Sequence, residues 1–426
     1  MKVLHLSTGI SPQSAPWRLH NALLKEDIDS YVYVLEPSML SNRLFYGEMD
    51  SIFSRIYYRF KFLLKRYFAM FIKGMCSCTK AVPISLGYSS MLNHRLIENL
   101  KPDVINLHWI CGEFVSIEDL VWLSQFPLVW TLHDSWPFTG GCHIPQQCRK
   151  WEIKCESCKL MGGYCGIDLA KYIFNHKANY YKKTDFKVVG VSKWMAECAK
   201  KSALLNNKEV FCVHNTLNQN LFRPRDKVVI RDMLSLPSEK KLILFGAMNA
   251  TSDENKGFKF LYEAIRFIVD ESFIDNIELM VFGSEKPDNA PSFGVTVHYM
   301  GRLYDEISLS LLYSAADIMI VPSLSESFGQ TILESLSCGT PVAAFRTGGI
   351  PDQIDHMDNG YLAKPFDSRD LARGIVYILN DKIRWSNMSK AARRKAVKCF
   401  SENVIASEML KVYEKAIADK NTGGRN

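Results

Sequence analysis

Short apolar runs alternate with amphipathic stretches along this chain. "VLHL", "YVYVL", "VINLHW", "LVWTLH", "VVGVS" and "VFCVHN" fall before residue 216, and "LILFGA", "IELMVFG", "VTVHYMG", "DIMIVPS" and "PVAAF" fall after residue 241. Runs of this length, rich in β-branched residues and separated by helix-period segments, predict buried parallel strands joined by helices. Each half alone reads as a βα-repeating sheet, so the expected class is α/β, with two doubly wound domains facing each other across a cleft. Between them "NLFRPRDKVVIRDMLSLPSEKK" is polar and contains proline, and we read it as the linker. The expected boundaries are 1–222 for the first domain, 236–399 for the second, and 400–426 for a helix, from Phe400 to about Ala418, that crosses back onto the first, followed by a tail.

Local chemistry concentrates in "ESFGQTILESLSCGTP", Glu326 to Pro341. The preceding "DIMIVPS" is a strand that ends at Pro322. From Gly329 a short helix follows, with Ile332, Leu333 and Leu336 on one face and Gly339 as its stop. Glu326 then lies in a strand-to-helix loop and Glu334 inside the helix. In a parallel sheet such a loop opens on the ligand crevice at the carboxyl ends of the strands. There the amides of Phe328, Gly329 and Gln330, at a helix N-terminus, suit an anion such as a diphosphate. Carboxylates flanking a phosphate site accept hydrogen bonds from hydroxyls, so the implied ligand is a sugar joined to a phosphate. The competing reading is a loop glutamate and a solvated helical glutamate, since charged helical residues are mostly exposed.

Composition narrows the setting. The chain has 426 residues and 48.7 kDa, 47% hydrophobic and 23% charged, as expected for a globular protein with sizeable cores. A net charge of +7 permits phosphorylated ligands or anionic lipid without calling for nucleic acid. The apolar run at the N-terminus is too short for a signal peptide, and none is long enough to span a bilayer. A cytoplasmic protein with reduced thiols is expected from twelve cysteines without a secretory signal.

Two segments stand apart. In the Cys-rich insertion at 142–165, Cys142, Cys148, Cys155 and Cys158 include a C-x2-C pair and offer a set of structural zinc ligands. We place the reading of reduced, buried thiols ahead of zinc. The segment at 43–75 holds "SIFSRIYYRFKFLLKRYFAMFIKGM". On a helix Arg55, Arg59, Arg66 and Lys73 share one face, while Ile56, Phe60, Leu63, Leu64, Tyr67 and Phe71 share another. Such a helix suits an anionic membrane surface, and we prefer that reading to a helix that buries its apolar face on the first domain.

The motifs carry a family resemblance. "NKGF", "AADIMIVPS", "ESFGQTILESLSCGTPVAAF" and "GGIPDQI" resemble recurring segments of the retaining glycosyltransferases of family 4, which have the two-domain GT-B fold. "RLHNALL", "NLHW", "WTLHDSWPFTGGCH", "VSKW" and "HNTLN" are similar to the polysaccharide-assembly branch that includes colanic-acid, capsule and O-antigen transferases. The resemblance implies transfer of a sugar from a nucleotide-sugar to a glycan acceptor on a lipid carrier, at the inner face of a bacterial cell membrane, with no cofactor required. It implies Glu326 near the donor sugar and Glu334 on the ribose hydroxyls. It also implies Lys256 on the donor diphosphate and His133 toward the transferred sugar, with Asp134 orienting that imidazole or capping a helix. Relatives carry an arginine after the first strand of the second domain, where this chain reads "FGAMNA"; Arg302 is the candidate replacement. Relatives also carry a Gly-Gly loop near the N-terminus, and here Gly9 stands alone. An epimerase or phosphorylase on the same fold, or a non-catalytic glycan-binding subunit, are the alternatives.

Overall fold

A computed structural model describes residues 1–35, 39, 41–46, 60, 63–67, 70–71, 83–161 and 168–423. Contacts divide the chain into two compact units, Met1–His214 with Ile405–Asn426, and Asn215–Val404.

The first unit is built on a seven-stranded parallel sheet: β1 (Lys2–Ser7), β2 (Asp29–Val34), β3 (Leu44–Tyr46), β4 (Val104–Leu107), β5 (Leu128–Leu132), β6 (Lys187–Gly190) and β7 (Val210–Cys212), in the order β3-β2-β1-β4-β5-β6-β7. β4 and β5 are buried at every position, so they read as continuous apolar runs and not as alternating ones. The helices between strands start where a side chain satisfies first-turn amides, as Asp168 does for Leu169–Tyr181 and Ser192 for Lys193–Lys201. One face of the sheet is covered in part by the last helix, Glu402–Gly423. Its Ile405, Met409, Val412 and Tyr413 pack with Val3, Val104 and Val129, and Asn106 Nδ2 donates to the Tyr413 hydroxyl at 2.7 Å.

The second unit repeats the plan with six parallel strands: β8 (Lys241–Gly246), β9 (Ile277–Phe282), β10 (Val297–Tyr299), β11 (Ile318–Val321), β12 (Val342–Phe345) and β13 (Gly360–Ala363), ordered β10-β9-β8-β11-β12-β13. Both sheets reverse direction of growth beside their first strand, at β1/β4 and at β8/β11. Ligand crevices of open α/β sheets open at such switch points.

The stretch expected as a linker is a packed part of the second unit. Asp226 caps the helix Lys227–Met233, and Asp317, at the start of β11, pairs with Lys227 Nζ at 2.6 Å and Arg231 Nη2 at 2.7 Å. Arg231 also donates to the carbonyls of Ala315, Ser238 and Lys240. Its charges gave it a linker's composition, but one partly buried carboxylate, Asp317, pairs with two of them.

Candidate active site

The switch point of the second sheet holds a cavity of about 220 Å³. Phe245, Gly246 and Ala247 at the end of β8, and Ile320 to Ser323 at the end of β11, form two of its walls; Lys256, Glu326, Gly329, Gln330 and Thr331 complete it. Lys256 Nζ and Glu326 Oε2 lie 3.2 Å apart on this wall, both largely buried. The Glu326 charge raises the Lys256 pKa above the ordinary lysine value despite burial, so the ammonium stays charged.

Backbone fit places both groups. Asp253 accepts from the Asn255 amide and starts the short turn Glu254–Lys256. Gly257 then turns left-handed at φ +72°, and a Cβ there would fall 2.0 Å from the Pro322 carbonyl oxygen. The loop carrying Glu326 is held on every side. Asn255 Nδ2 donates to the Ser325 carbonyl at 2.8 Å, and Thr347 Oγ1 to that of Ser323 at 2.9 Å. The Gly349 amide donates to the Glu326 carbonyl at 2.8 Å, and Gln353 Nε2 to the carbonyls of Phe328 and Gly329. Gly348 has φ +52°, and a Cβ on it would lie 2.0 Å from the Glu326 carbonyl oxygen. Asn255, Thr347, Gly348 and Gln353 are therefore site residues without a role in the sequence reading, although "NKGF" and "GGIPDQI" had marked their segments.

Other predicted residues take different places. Glu334 lies on the helix Gln330–Ser337, outside the cavity lining, and is 4% exposed; its Oε2 accepts from the Tyr313 hydroxyl at 2.8 Å. It is thus a buried carboxylate, not the solvated one of the competing reading. Phe328 is buried edge-to-face against Phe400. Arg302 is exposed and donates to Asn249 Oδ1 at 3.1 Å, which ties it to the "FGAMNA" segment.

In the first unit His133 follows β5, and its Nε2 lies 2.9 Å from His108 Nδ1. Burial pushes the His133 pKa down to about 4, so the ring is neutral at physiological pH. Asp134 does not orient it. Its Oδ1 accepts from the Trp136 amide at 2.8 Å, just before the turn Trp136–Phe138, and its Oδ2 pairs with His143 Nδ1 at 2.7 Å. Gly9, after β1, is exposed, and a Cβ on it would meet nothing within 4 Å.

Cys142, Cys148, Cys155 and Cys158 line a larger cavity of about 510 Å³ walled by residues of the 139–161 loops and Ala170, with no strand end in it. Its size does not make it the reaction site: Lys150, Lys159 and Glu156 are in its lining, but it does not open at the strand-end crevice of a sheet. Among the described residues no three of these sulfurs lie within 4.8 Å of one another, wider than tetrahedral zinc requires. Burial pushes the thiols of Cys142 and Cys155 up to about 12 and about 11, and Cys148 is exposed. Cys76, Cys78 and Cys165 lie outside the described residues.

Comparison with known proteins assigns a class to this arrangement. Residues 239–381, which contain the 220 Å³ cavity and its Lys256–Glu326 pair, match the family Glycosyl transferases group 1. The chain carries a domain of that family. It is 26% identical over 226 residues to N-acetyl-alpha-D-glucosaminyl L-malate synthase of Bacillus anthracis, covering 51% of this chain and 56% of the relative. It is 26% identical over 265 residues to the N,N'-diacetylbacillosaminyl-diphospho-undecaprenol alpha-1,3-N-acetylgalactosaminyltransferase of Campylobacter jejuni, covering 59% and 66%. The chain thus spans only part, from about half to two thirds, of the length of these curated relatives. Sucrose-phosphate synthase from Thermosynechococcus elongatus superposes with a TM-score of 0.67 at 17% identity, over 98% of this chain and all of that one. HepE of Anabaena in complex with UDP gives 0.63 at 16%, over 97% and 100%. These likenesses establish the GT-B fold.

Proposed function

We propose that this protein is a retaining hexosyltransferase. It moves a sugar from a nucleotide-sugar to a hydroxyl of a glycan acceptor carried on a lipid, in bacterial surface polysaccharide synthesis. The observation that carries the proposal is the Lys256–Glu326 pair in the switch-point cavity of the group 1 domain. As the glycosidic bond breaks, the leaving diphosphate gains negative charge, and a fixed ammonium stabilises that state more than the ground state. Glu326 accepts hydroxyls of the donor sugar, and Glu334 those of the ribose. Arg302 supplies the second cation. Lysine, arginine and helix-terminal amides provide the charge a divalent metal gives elsewhere, so the reaction needs none. His133 is assigned to contact the transferred sugar. No carboxylate is assigned as nucleophile; the leaving phosphate takes the acceptor proton in a front-face displacement.

Support for a nucleotide donor comes from HepE, whose structure is a complex with UDP, and for a lipid carrier from the undecaprenol-linked reaction in the name of the Campylobacter relative. The acceptor is met at the inner face of the cell membrane. Among the described residues no helix is long and apolar enough to cross a membrane. Of the expected lipid-facing side chains, Phe60, Leu63, Leu64, Tyr67 and Phe71 are 47% to 66% exposed, which supports a surface-binding segment over a core helix. Ile56, Arg55, Arg59 and Lys73 lie outside the described residues.

A panel of nucleotide-sugars incubated with the protein and membrane extract containing lipid-linked acceptor tests the proposal. The expected result is a new glycan with the donor's anomeric configuration, formed only when acceptor is present. Donor consumption independent of acceptor would replace it with an epimerase or phosphorylase, and no consumption of any donor with a non-catalytic subunit.

A further inference from the structure

The first unit contains a chain of imidazoles that the transfer chemistry alone does not call for. His5 lies on β1, His108 directly after β4 and His133 directly after β5, so three neighbouring strands around the switch point each contribute one ring. His5 Nδ1 is 2.9 Å from His108 Nε2, and His108 Nδ1 is 2.9 Å from His133 Nε2. Successive rings meet edge to edge, with centroids 5.2 Å apart and planes inclined by 27° and 24°. His108 is fixed from its own backbone: its amide donates to the Leu6 carbonyl at 2.9 Å, and its carbonyl accepts from Trp130 Nε1 at 3.2 Å.

A neutral imidazole has one N–H and one lone pair. His108 uses both nitrogens, so the two bonds must run in the same direction, and the chain has only two proton arrangements. In one, every ring carries its proton on Nε2 and donation runs from His133 to His5. That leaves His5 Nε2–H as the end donor, and His5 is fully buried with no partner at this atom among the described residues. In the other, every ring carries its proton on Nδ1, donation runs from His5 to His133, and His5 Nε2 ends as a bare lone pair. An orphaned buried N–H is rarer and costlier than an acceptor with no partner. Burial holds all three rings far below the usual histidine range, which keeps them neutral, so the tautomer question is the relevant one.

We propose that His5 and His108 are positioning residues that fix His133 as the Nδ1–H tautomer. His133 is thereby a neutral hydrogen-bond donor toward a substrate oxygen, not a general base. The link to catalysis rests on the transferase reading above; the tautomer assignment does not.

Nitrogen-15 NMR of the histidine-labelled full chain at neutral pH reads the tautomer without any substrate. The wild-type spectrum is expected to show His5, His108 and His133 neutral and protonated on Nδ1. In His5→Asn the amide takes the place of the Nδ1–H donor, and the His133 signature is expected to persist. In His5→Leu the first bond is lost and His133 is expected to become a tautomer mixture. The same His5→Leu protein is expected to lose kcat on the order of tenfold or more with little change in donor KM, as when a histidine is left in the wrong tautomer. A wild-type His133 protonated on Nε2, or a His133 signature unmoved in His5→Leu, would overturn the assignment. Should no donor be consumed by any protein, the transferase reading fails while the tautomer result stands on its own spectrum.

Discussion

At the scale of single residues, Glu326 and Lys256 face each other on one cavity wall, and the carboxylate holds the lysine as an ammonium. Replacing Glu326 by Gln or Lys256 by Ala is expected to lower kcat about a hundredfold or more, from loss of about 2 to 4 kcal/mol of transition-state stabilisation, with an intact circular-dichroism spectrum. Steady-state kinetics with the best donor checks this, and near-wild-type turnover would mean the donor site is elsewhere. Glu334 is expected to behave differently, because the ribose contacts proposed for it would be equally present in ground and transition states. Glu334→Ala is expected to raise donor KM. It should also lower Tm, since it leaves the buried Tyr313 hydroxyl without its acceptor, at a cost of roughly 1 to 3 kcal/mol. Tyr313→Phe in the same background is expected to recover part of that stability. Scanning calorimetry of the single and double variants measures it.

At the scale of elements, the loop between β11 and the helix Gln330–Ser337 is shaped by backbone contacts from chain segments far from it in sequence. Gly348→Ala is expected to cut turnover as Glu326→Gln does, although residue 348 has no chemistry, because a Cβ there displaces the Glu326 carbonyl. How legible each element was follows from the same geometry. The "ESFG" loop and its helix could be read directly, since their signals are local: an apolar run, a glycine start and Gly339 at φ +74° as the stop. β3 (LFY) and β13 (GYLA) were not read because neither contains a β-branched residue, the feature that marked the other runs as strands. The clamp by Thr347, Gly348 and Gln353 was hidden because it is made of tertiary hydrogen bonds to backbone carbonyls, which leave no mark on spacing. His5 and His108 looked like strand residues, and only the sheet order brings positions 103 residues apart within hydrogen-bond distance. The helix Lys227–Met233 looked like a linker because its lysine and arginine appear solvated until Asp317 is seen beside them.

That pair gives the second unit a defined acid response. Burial by itself would raise the Asp317 pKa, but the charges of Lys227 and Arg231 and their hydrogen bonds outweigh it and hold it below the ordinary carboxylate value. A depressed folded-state pKa contributes stability that is fully present above the unfolded-state value and is lost as pH falls through the folded-state value. Asp317→Asn is therefore expected to cost on the order of 3 kcal/mol at neutral pH, where Arg231 is left buried and unpaired. The difference from wild type should shrink as the solution is acidified below the carboxylate range. Urea unfolding across that range measures it, and a difference independent of pH would contradict the role given to Asp317.

At the scale of the whole molecule, two parallel sheets of the same strand order each bring chemistry to their switch point, a histidine chain in one and a lysine-carboxylate cavity in the other. Phe60, Leu63, Leu64, Tyr67 and Phe71 are exposed, and the lipid surface proposed for them is tested by sedimentation. Changing Phe60, Leu63, Tyr67 and Phe71 to Ser is expected to abolish co-sedimentation with vesicles containing anionic lipid while leaving donor affinity unchanged. Changing Arg55, Arg59, Arg66 and Lys73 to Ser should weaken it in a salt-dependent way. Equal sedimentation of all three proteins would return the segment to the core-helix reading.

The central claim is that the switch-point cavity of the second unit is the donor site, and calorimetric titration with a panel of nucleoside diphosphates and their sugars tests it most directly. The account predicts one site per chain for at least one member of the panel, with affinity reduced about tenfold or more in Lys256→Ala and little changed in His5→Leu. Binding of equal strength in wild type and Lys256→Ala, or no binding of any member of the panel to the wild-type chain, would contradict it.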